Sequence, residues 1–281
     1  MCIIRGYFNN IKQEGIMAFV RKKASPSCFV ANKGEESVKA ALLLTSAKRR
    51  FVVRITGGCG YMSTEDAQGM ESLFADAFRG YAGGIIYGGT RMYDRQERPL
   101  RVVPGITEIV PRIRDENEGV VTLGITPRRS DIVFHPEFGL VVTDGPEEDY
   151  VTVVHPDQDS CLIVQKSVDK GADWIDEAYE SQSIVDHLRT FAKFDSLLLC
   201  YNGGSVTEQE ILFTAENGWP VLLVRGSGRK SDEYANDTRF LTKHPNVCVA
   251  ENNILSIRRQ LYLLGALDED VMSAEMLRMI Q

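Results

Sequence analysis

Apolar runs of strand length recur along the chain, and most are followed by a glycine turn and a helix-periodic stretch. The first strong run is Phe51-Val52-Val53-Arg54-Ile55, which empties into Thr56-Gly57-Gly58-Cys59-Gly60. Ser63 or Thr64 is the expected N-cap of the next helix, with Glu65 and Asp66 favouring the positive end of its dipole. Met70, Leu73, Phe74, Ala77 and Phe78 then follow helical spacing up to Gly83-Gly84. Ile85-Ile86-Tyr87 reads as a short strand running into Gly88-Gly89-Thr90. The same grammar returns later. Leu197–Tyr201 is an apolar run, Asn202-Gly203-Gly204-Ser205 a turn, and Val206 to Asn217 a helix with Ile211, Leu212 and Ala215 on one side. Pro220–Val224 is the next strand, and it ends in Arg225-Gly226-Ser227-Gly228-Arg229.

Between these modules the pattern predicts a helix with loops over 93–118, a strand at Val120–Ile125 and another at Leu162–Val164. Residues 130–160 read as an irregular excursion, either a hairpin or a lid, with β-prone pieces such as Leu140–Thr143. Asp173–Phe194 is a long helix, Glu233–Leu241 a shorter one, Asn246–Val249 a last strand, and Leu255–Leu264 and Met272–Ile280 are closing helices. Residues 37–46 predict a short helix. Strands alternating with helices argue an α/β fold, a mostly parallel sheet with helices on both faces. Residues 1–46 are expected to be an N-terminal extension and 47–281 one domain, with translation from either Met1 or Met17 left open.

The chain has 281 residues, 43% apolar and 25% charged, with net charge −7, which offers no global basic footprint for nucleic acid. No apolar run approaches the ~20 residues of a membrane span, and no leader pattern opens the chain, so a cytoplasmic protein is expected, without a membrane partner. Cys2, Cys28, Cys59, Cys161, Cys200 and Cys248 form no C-x-x-C pair and read as reduced, buried thiols. His135, His155, His187 and His244 lack metal spacing and read as loop or surface residues, so no metal and no resident cofactor is expected.

The chemistry therefore rests on four glycine turns at the carboxyl ends of strands: Gly57-Gly58, Gly88-Gly89-Thr90, Gly203-Gly204-Ser205 and Gly226-Ser227-Gly228. Glycines let the backbone approach an anion, and the free N–H groups of the following helix favour phosphate. Structural tight turns are the plain alternative for each one alone. Ser205, Thr207, Ser227 and Arg229 are candidates to hold phosphate or ribose. Arg225 and Arg91 also border turns, and Asp232 either orients Arg229 or favours its helix N-terminus. Glu210, three residues after Thr207, reads first as a capping-box partner and second as a catalytic carboxylate. The G-x-G-x-x-G, P-loop and G-x-S-x-G patterns are absent.

Thr56-Gly57-Gly58, Gly88-Gly89-Thr90, Gly203 to Glu210 and Gly226-Ser227-Gly228-Arg229 with Asp232 together resemble the SLOG superfamily. They resemble its LSDAT branch in particular, which is similar to the cytosolic nucleotide-sensing region of TRPM channels and to stand-alone prokaryotic relatives. The resemblance spans about residues 50–250. It implies a Rossmann-like fold that binds nucleotides or derivatives such as ADP-ribose and its cyclic forms, as a ligand sensor. Such a sensor would act through a homo-oligomer or an effector protein. The more distant LOG phosphoribohydrolases carry P-G-G-x-G-T-x-x-E, of which Gly203, Gly204, Thr207 and Glu210 are matched. Asn202 stands in place of the Pro and Val206 in place of the last Gly. That likeness implies the alternative function, N-glycosidic cleavage of a nucleoside 5′-monophosphate with Glu210 as the catalytic residue.

Overall fold

The computed structural model describes residues 27–32, 37–58, 64–94, 101–136, 139–143, 150–167 and 169–272. The expected cap at Ser63, the Cys59-Gly60 pair and all but the first residue of the expected 272–280 helix lie outside them.

In chain order the elements are β1 (Ser27–Asn32), α1 (Ser37–Leu44), β2 (Phe51–Gly57), α2 (Thr64–Ala77) and β3 (Gly84–Gly88). Then come β4 (Thr90–Asp94), β5 (Arg101–Val102), a 3-10 turn at Ile106–Glu108, α3 (Ile109–Glu116) and β6 (Val121–Pro127). A meander follows: β7 (Val133–His135), β8 (Gly139–Thr143) and β9 (Tyr150–Val154). The chain continues through β10 (Ser160–Gln165), α4 (Trp174–Phe191), β11 (Asp195–Tyr201), α5 (Ser205–Glu216) and β12 (Val221–Arg225). It closes with α6 (Arg229–Asn236), α7 (Thr238–Lys243), β13 (Val247–Glu251) and α8 (Ile254–Leu263).

Eight strands form one parallel sheet in the order β1-β10-β6-β3-β2-β11-β12-β13. Their runs are apolar on both sides because both faces are covered. On one face Val53, Ile55, Leu197 and Leu199 pack against α2, α3 and α8 through Phe74, Val110 and Ile257. On the other, Val52, Ile86 and Leu123 meet α1 and α4, while Leu198, Val221 and Leu223 meet α5, α6 and α7. The strand β1 comes from the stretch read as an extension and pairs with β10 from Ser27 to Asn32.

Local chemistry fixes the helix ends. Asp173 accepts from the amides of Ile175 and Asp176, both at 3.0 Å, while the Asp176 carboxylate accepts from the Asp173 amide at 3.1 Å. This reciprocal capping box starts α4. Asp237 and Asn253 cap α7 and α8 with their side chains alone, each accepting from amides of the first turn.

The excursion is a second sheet. β5-β4-β9-β8-β7 are antiparallel and lie over the β10 side of the parallel sheet, with Val142 and Val154 packed on Cys161 and Ile163. Gly88-Gly89-Thr90 is therefore not a turn into a helix. The chain runs from β3 straight into β4, and the Gly89 backbone lies so close to Gly124 that a methyl would stand 2.5 Å from its Cα. The stretch 93–118, expected to be helix and loop, holds the expected helix in α3 but also the end of β4 and all of β5.

Candidate functional site

The geometry converges where the order of the sheet reverses. β2 continues to β3 on one side, β11 continues to β12 on the other, and β2 and β11 are neighbours, in register from Phe51 and Asp195 to Gly57 and Tyr201. Open α/β sheets hold ligands at such a switch point, outside the carboxyl ends of the strands. A methyl on Gly57 would stand 2.5 Å from the Tyr201 carbonyl oxygen, so this strand end tolerates only glycine.

On the other bank Asn202 (φ +60) and Gly203 (φ +93) take left-handed backbone and turn the chain into α5. Gly204 is the N-cap and supplies no side-chain cap, so the N-terminal amides of α5 have no capping side chain. Those amides carry partial positive charge toward the crevice. Ser205 is exposed at this rim.

The turn after β12 brings the cation. Gly226 (φ +80) and Gly228 (φ +89) are left-handed, and so is Arg229 (φ +48). For a residue with a Cβ this conformation costs on the order of 1–2 kcal/mol. It sends the guanidinium back across the crevice. A methyl on Gly58 would lie 3.1 Å from Arg229 Nη1, and one on Gly204 would lie 2.8 Å from Nη2. The glycines at 58 and 204 are thus the space the guanidinium occupies. The structure brings Gly57, Gly58, Gly203, Gly204 and Arg229 to one place.

Ser227 faces inward instead. Its hydroxyl accepts from the Asn202 amide at 2.9 Å and donates to the Val224 carbonyl at 2.7 Å, tying the two turns together. The amides of Lys230 and Ser231 donate to the Gly203 and Asn202 carbonyls at 3.4 and 3.0 Å, so the start of α6 is occupied by the neighbouring turn. Ser231 is fully buried, accepting from the Val224 amide at 3.1 Å and donating to the Cys200 carbonyl at 2.8 Å. Asp232 accepts from the Gly226 amide at 2.7 Å and closes that turn.

Beneath the crevice lies a buried polar layer. Arg54, in the middle of β2, donates from Nη2 to Glu210 Oε1 at 2.8 Å, and the two side chains are only 5% and 9% exposed. Thr56 donates to Glu210 Oε2, and its hydroxyl lies 3.2 Å from that of Thr207. Thr207 is buried within α5, not at its cap, which corrects the capping-box reading of Glu210: its partners are on β2. Beside this layer Glu177 of α4 places Oε1 3.2 Å from where a methyl on Gly88 would be. Glu177 is half-buried by surface, yet its carboxyl is enclosed closely enough to be pushed well above the usual carboxylate range. Burial is the main cause, the Glu210 carboxylate the next, and Arg54 opposes both.

Other candidates lie elsewhere. Thr90 is buried at the start of β4, paired with Val154 of the antiparallel sheet. Arg225 pairs with Glu251 at 2.7 Å, away from the crevice. Arg91 makes a two-pronged pair with Glu108, Nε to Oε1 at 3.1 Å and Nη2 to Oε2 at 2.9 Å. His155, read as a loop or surface residue, is fully buried, with Nε2 at 3.3 Å from Glu108 Oε2 and Nδ1 accepting from the Asp157 amide. Burial works to raise the Glu108 carboxyl, but hydrogen bonds from His155 and Arg91 outweigh it and hold it low. His244 is buried too, against Phe240. A cavity of about 190 Å³ lies between α2 and Pro104–Ile109, and its lining includes none of the turn glycines. Among the described residues no three or more His, Cys, Asp and Glu gather as metal ligands, and no helix is long and apolar enough to cross a membrane.

The sequence reading missed Arg54, Thr56 and Glu177 as parts of this site. Arg54 carried a signal: a guanidinium inside the run Phe-Val-Val-Arg-Ile must find a buried partner. Glu177 carried none, being one of several acids on α4.

No curated protein is significantly similar to the chain in sequence. Among solved structures it is similar to the molybdenum cofactor carrier protein of Chlamydomonas reinhardtii, at 16% identity and TM-score 0.44, over 77% of this chain and 98% of that one. It is also similar to the molybdenum cofactor binding protein of the phototrophic bacterium Rippkaea orientalis, at 16% identity and TM-score 0.41, over 78% of this chain and 97% of that one. At these scores neither likeness bears on function. The family model described as "SLOG in TRPM, prokaryote" matches residues 50–263, most of the chain, and the protein therefore belongs to this LSDAT family of the SLOG superfamily.

Proposed function

We propose that the protein binds an anionic nucleotide derivative, of the ADP-ribose type, at the β2/β11 switch point and acts as a cytoplasmic ligand sensor. One observation carries the reading: the Arg229 guanidinium stands over Gly58 and Gly204 beside the N-terminus of α5, which lacks a side-chain cap. A guanidinium and a row of backbone amides facing the same space suit a phosphate group. Gly57, Gly58, Gly203 and Gly204 give the ligand close backbone approach. Ser205 lies at the rim for a further contact, and Gly88 with Glu177 forms the opposite wall. Thr207, Ser227, Gly226 and Gly228 serve the site by shaping the turns. Ligand occupancy would be read out by a homo-oligomer or an effector protein.

A second reading draws on Glu177 and Glu210. Two neighbouring carboxyls, one pushed toward its neutral form and one engaged by a guanidinium, are the arrangement of an acid with a charge-stabilising partner. In that reading a nucleoside 5′-monophosphate is cleaved at its N-glycosidic bond, with Glu210 stabilising the oxocarbenium-like state.

The test is incubation of excess purified protein with AMP, NAD, ADP-ribose and cyclic ADP-ribose, followed by chromatography of retained and released fractions. Retention of an intact nucleotide, lost in Arg229→Ala, is the result expected of a sensor. Release of free base and ribose phosphate would replace that reading by the hydrolase.

A further inference from the structure

Cys28 and Cys161 lie far apart in sequence, but the parallel pairing of β1 with β10 makes them direct partners, Cys28 opposite Cys161. Partner residues on neighbouring strands project to the same side of the sheet, and strands are spaced about 4.8 Å apart. A disulfide requires Cα atoms roughly 4.4–6.8 Å apart, and the spacing of directly paired strands falls in that range. Both side chains enter one apolar cluster with Val142, Val154 and Ile163, beneath the antiparallel sheet. The two thiols are near enough to influence each other's ionisation, and no disulfide joins them. They differ in access: Cys161 is fully buried, whereas Cys28 is half-buried on the edge strand, where its neighbours Phe29 and Val30 are exposed. Contact with Cys161 lowers the Cys28 thiol pKa, against the opposing effect of burial, while burial pushes the Cys161 thiol up.

We infer that Cys28 and Cys161 form a redox modification site, a reversible disulfide that fastens the edge strand β1 to its neighbour β10 when the protein meets a hydroperoxide. The accessible Cys28 thiolate attacks the peroxide O–O bond, giving a sulfenic acid and releasing alkoxide or hydroxide, which takes up a proton. The Cys161 sulfur then displaces the sulfenic oxygen, its own proton leaving with that oxygen as water. One peroxide is reduced by two electrons as the thiol pair is oxidised by two. Excess dithiol reduces the disulfide back to two thiols by exchange and is itself oxidised to a disulfide. The exposed partner thus reacts first and the buried one resolves it, which keeps Cys28 from further oxidation.

The experiment treats the full chain with hydrogen peroxide at a small molar excess, then blocks remaining thiols and maps peptides without reduction. The expected result is a cross-linked peptide pair holding Cys28 and Cys161, abolished by dithiothreitol, together with at least tenfold slower hydrogen exchange of the β1 amides. In Cys161→Ala the same treatment should leave Cys28 as a sulfenic acid trapped by dimedone, and in Cys28→Ser the cross-link should vanish with Cys161 unmodified. The surface-edge variant Cys28→Ser keeps the test usable if the buried one folds poorly. Pairing of Cys28 with another cysteine, its passage to sulfinic acid in the unsubstituted chain, or unchanged exchange in β1 after cross-linking would each overturn the proposal.

Discussion

Arg54 Nη2 stands 2.8 Å from Glu210 Oε1, and neither side chain is more than a tenth exposed. This pair joins the middle of β2 to the second turn of α5, directly below the crevice. Removing one partner of a buried ion pair leaves the other charge unmet and typically costs about 3–5 kcal/mol. Glu210→Ala should therefore lower the denaturant midpoint strongly, and Glu210→Gln by less, because the amide still accepts from Thr56. The double variant Arg54→Met, Glu210→Leu should regain much of the loss. A double-mutant cycle in urea measures this. Near-additive losses would mean that the pair contributes little. Any test of Glu210 in catalysis must be read beside these midpoints.

Arg229 holds a left-handed backbone (φ +48) that glycine adopts without penalty. Arg229→Gly should leave stability unchanged or raise it by roughly 1 kcal/mol, while ligand affinity falls at least tenfold, about 1.4 kcal/mol. Thermal unfolding and titration calorimetry on the same samples separate the two effects. Unchanged affinity would remove Arg229 from the binding site.

The glycines at the crevice should separate by what they approach. Alanine at Gly57 meets the Tyr201 carbonyl at 2.5 Å, a backbone atom that cannot move aside, so Gly57→Ala should destabilise the fold. Alanine at Gly204 meets the end of the flexible Arg229 side chain at 2.8 Å. Gly204→Ala should leave the unfolding midpoint within about 0.5 kcal/mol and weaken ligand binding by displacing the guanidinium. Equal stability losses in the two variants would contradict this division.

The Glu177 carboxyl is raised well above its ordinary value by burial and by Glu210. Its folded pKa exceeds the unfolded one of about 4.3, so between those values the folded state binds the extra proton. The stability this group contributes is complete below the unfolded pKa and is lost as pH rises through the folded pKa. Glu177→Gln, which cannot ionise, should become progressively more stable than the parent as pH is raised from about 4 to neutrality. Parallel urea titrations across that range check it. Curves that keep a constant separation would show that Glu177 does not titrate differently on folding.

Much of the parallel sheet is legible in the chain, because a strand buried on both faces must be apolar along its whole run. Phe51–Ile55, Leu197–Tyr201 and Pro220–Val224 announce β2, β11 and β12 in that way. The antiparallel sheet is legible only in part: Leu140–Thr143 reads as β-prone and becomes β8, but its partners do not show. β4 and β7 are short, partly exposed and interleaved with charge and proline, so their stability comes from partners supplied elsewhere in the chain. Gly88-Gly89 misled for a related reason. A glycine demanded by close approach to Gly124 looks, in one dimension, like a glycine demanded by a turn.

The sequence by itself determined the glycines that strand ends and left-handed turns require, and it placed Ser205, Thr207, Glu210 and Arg229 just behind them. Those are local properties, set by backbone sterics within a few residues. Tertiary structure alone decided which turns meet. The crossover through α4 lays β11 beside β2, so Gly58 and Gly204 make room for the Arg229 guanidinium while Arg54 and Glu210 pair below. It also turned Ser227 inward, buried Thr207 and set Cys28 opposite Cys161. Contacts between residues far apart in the chain depend on strand order and register, and these follow from how the whole set of apolar faces packs.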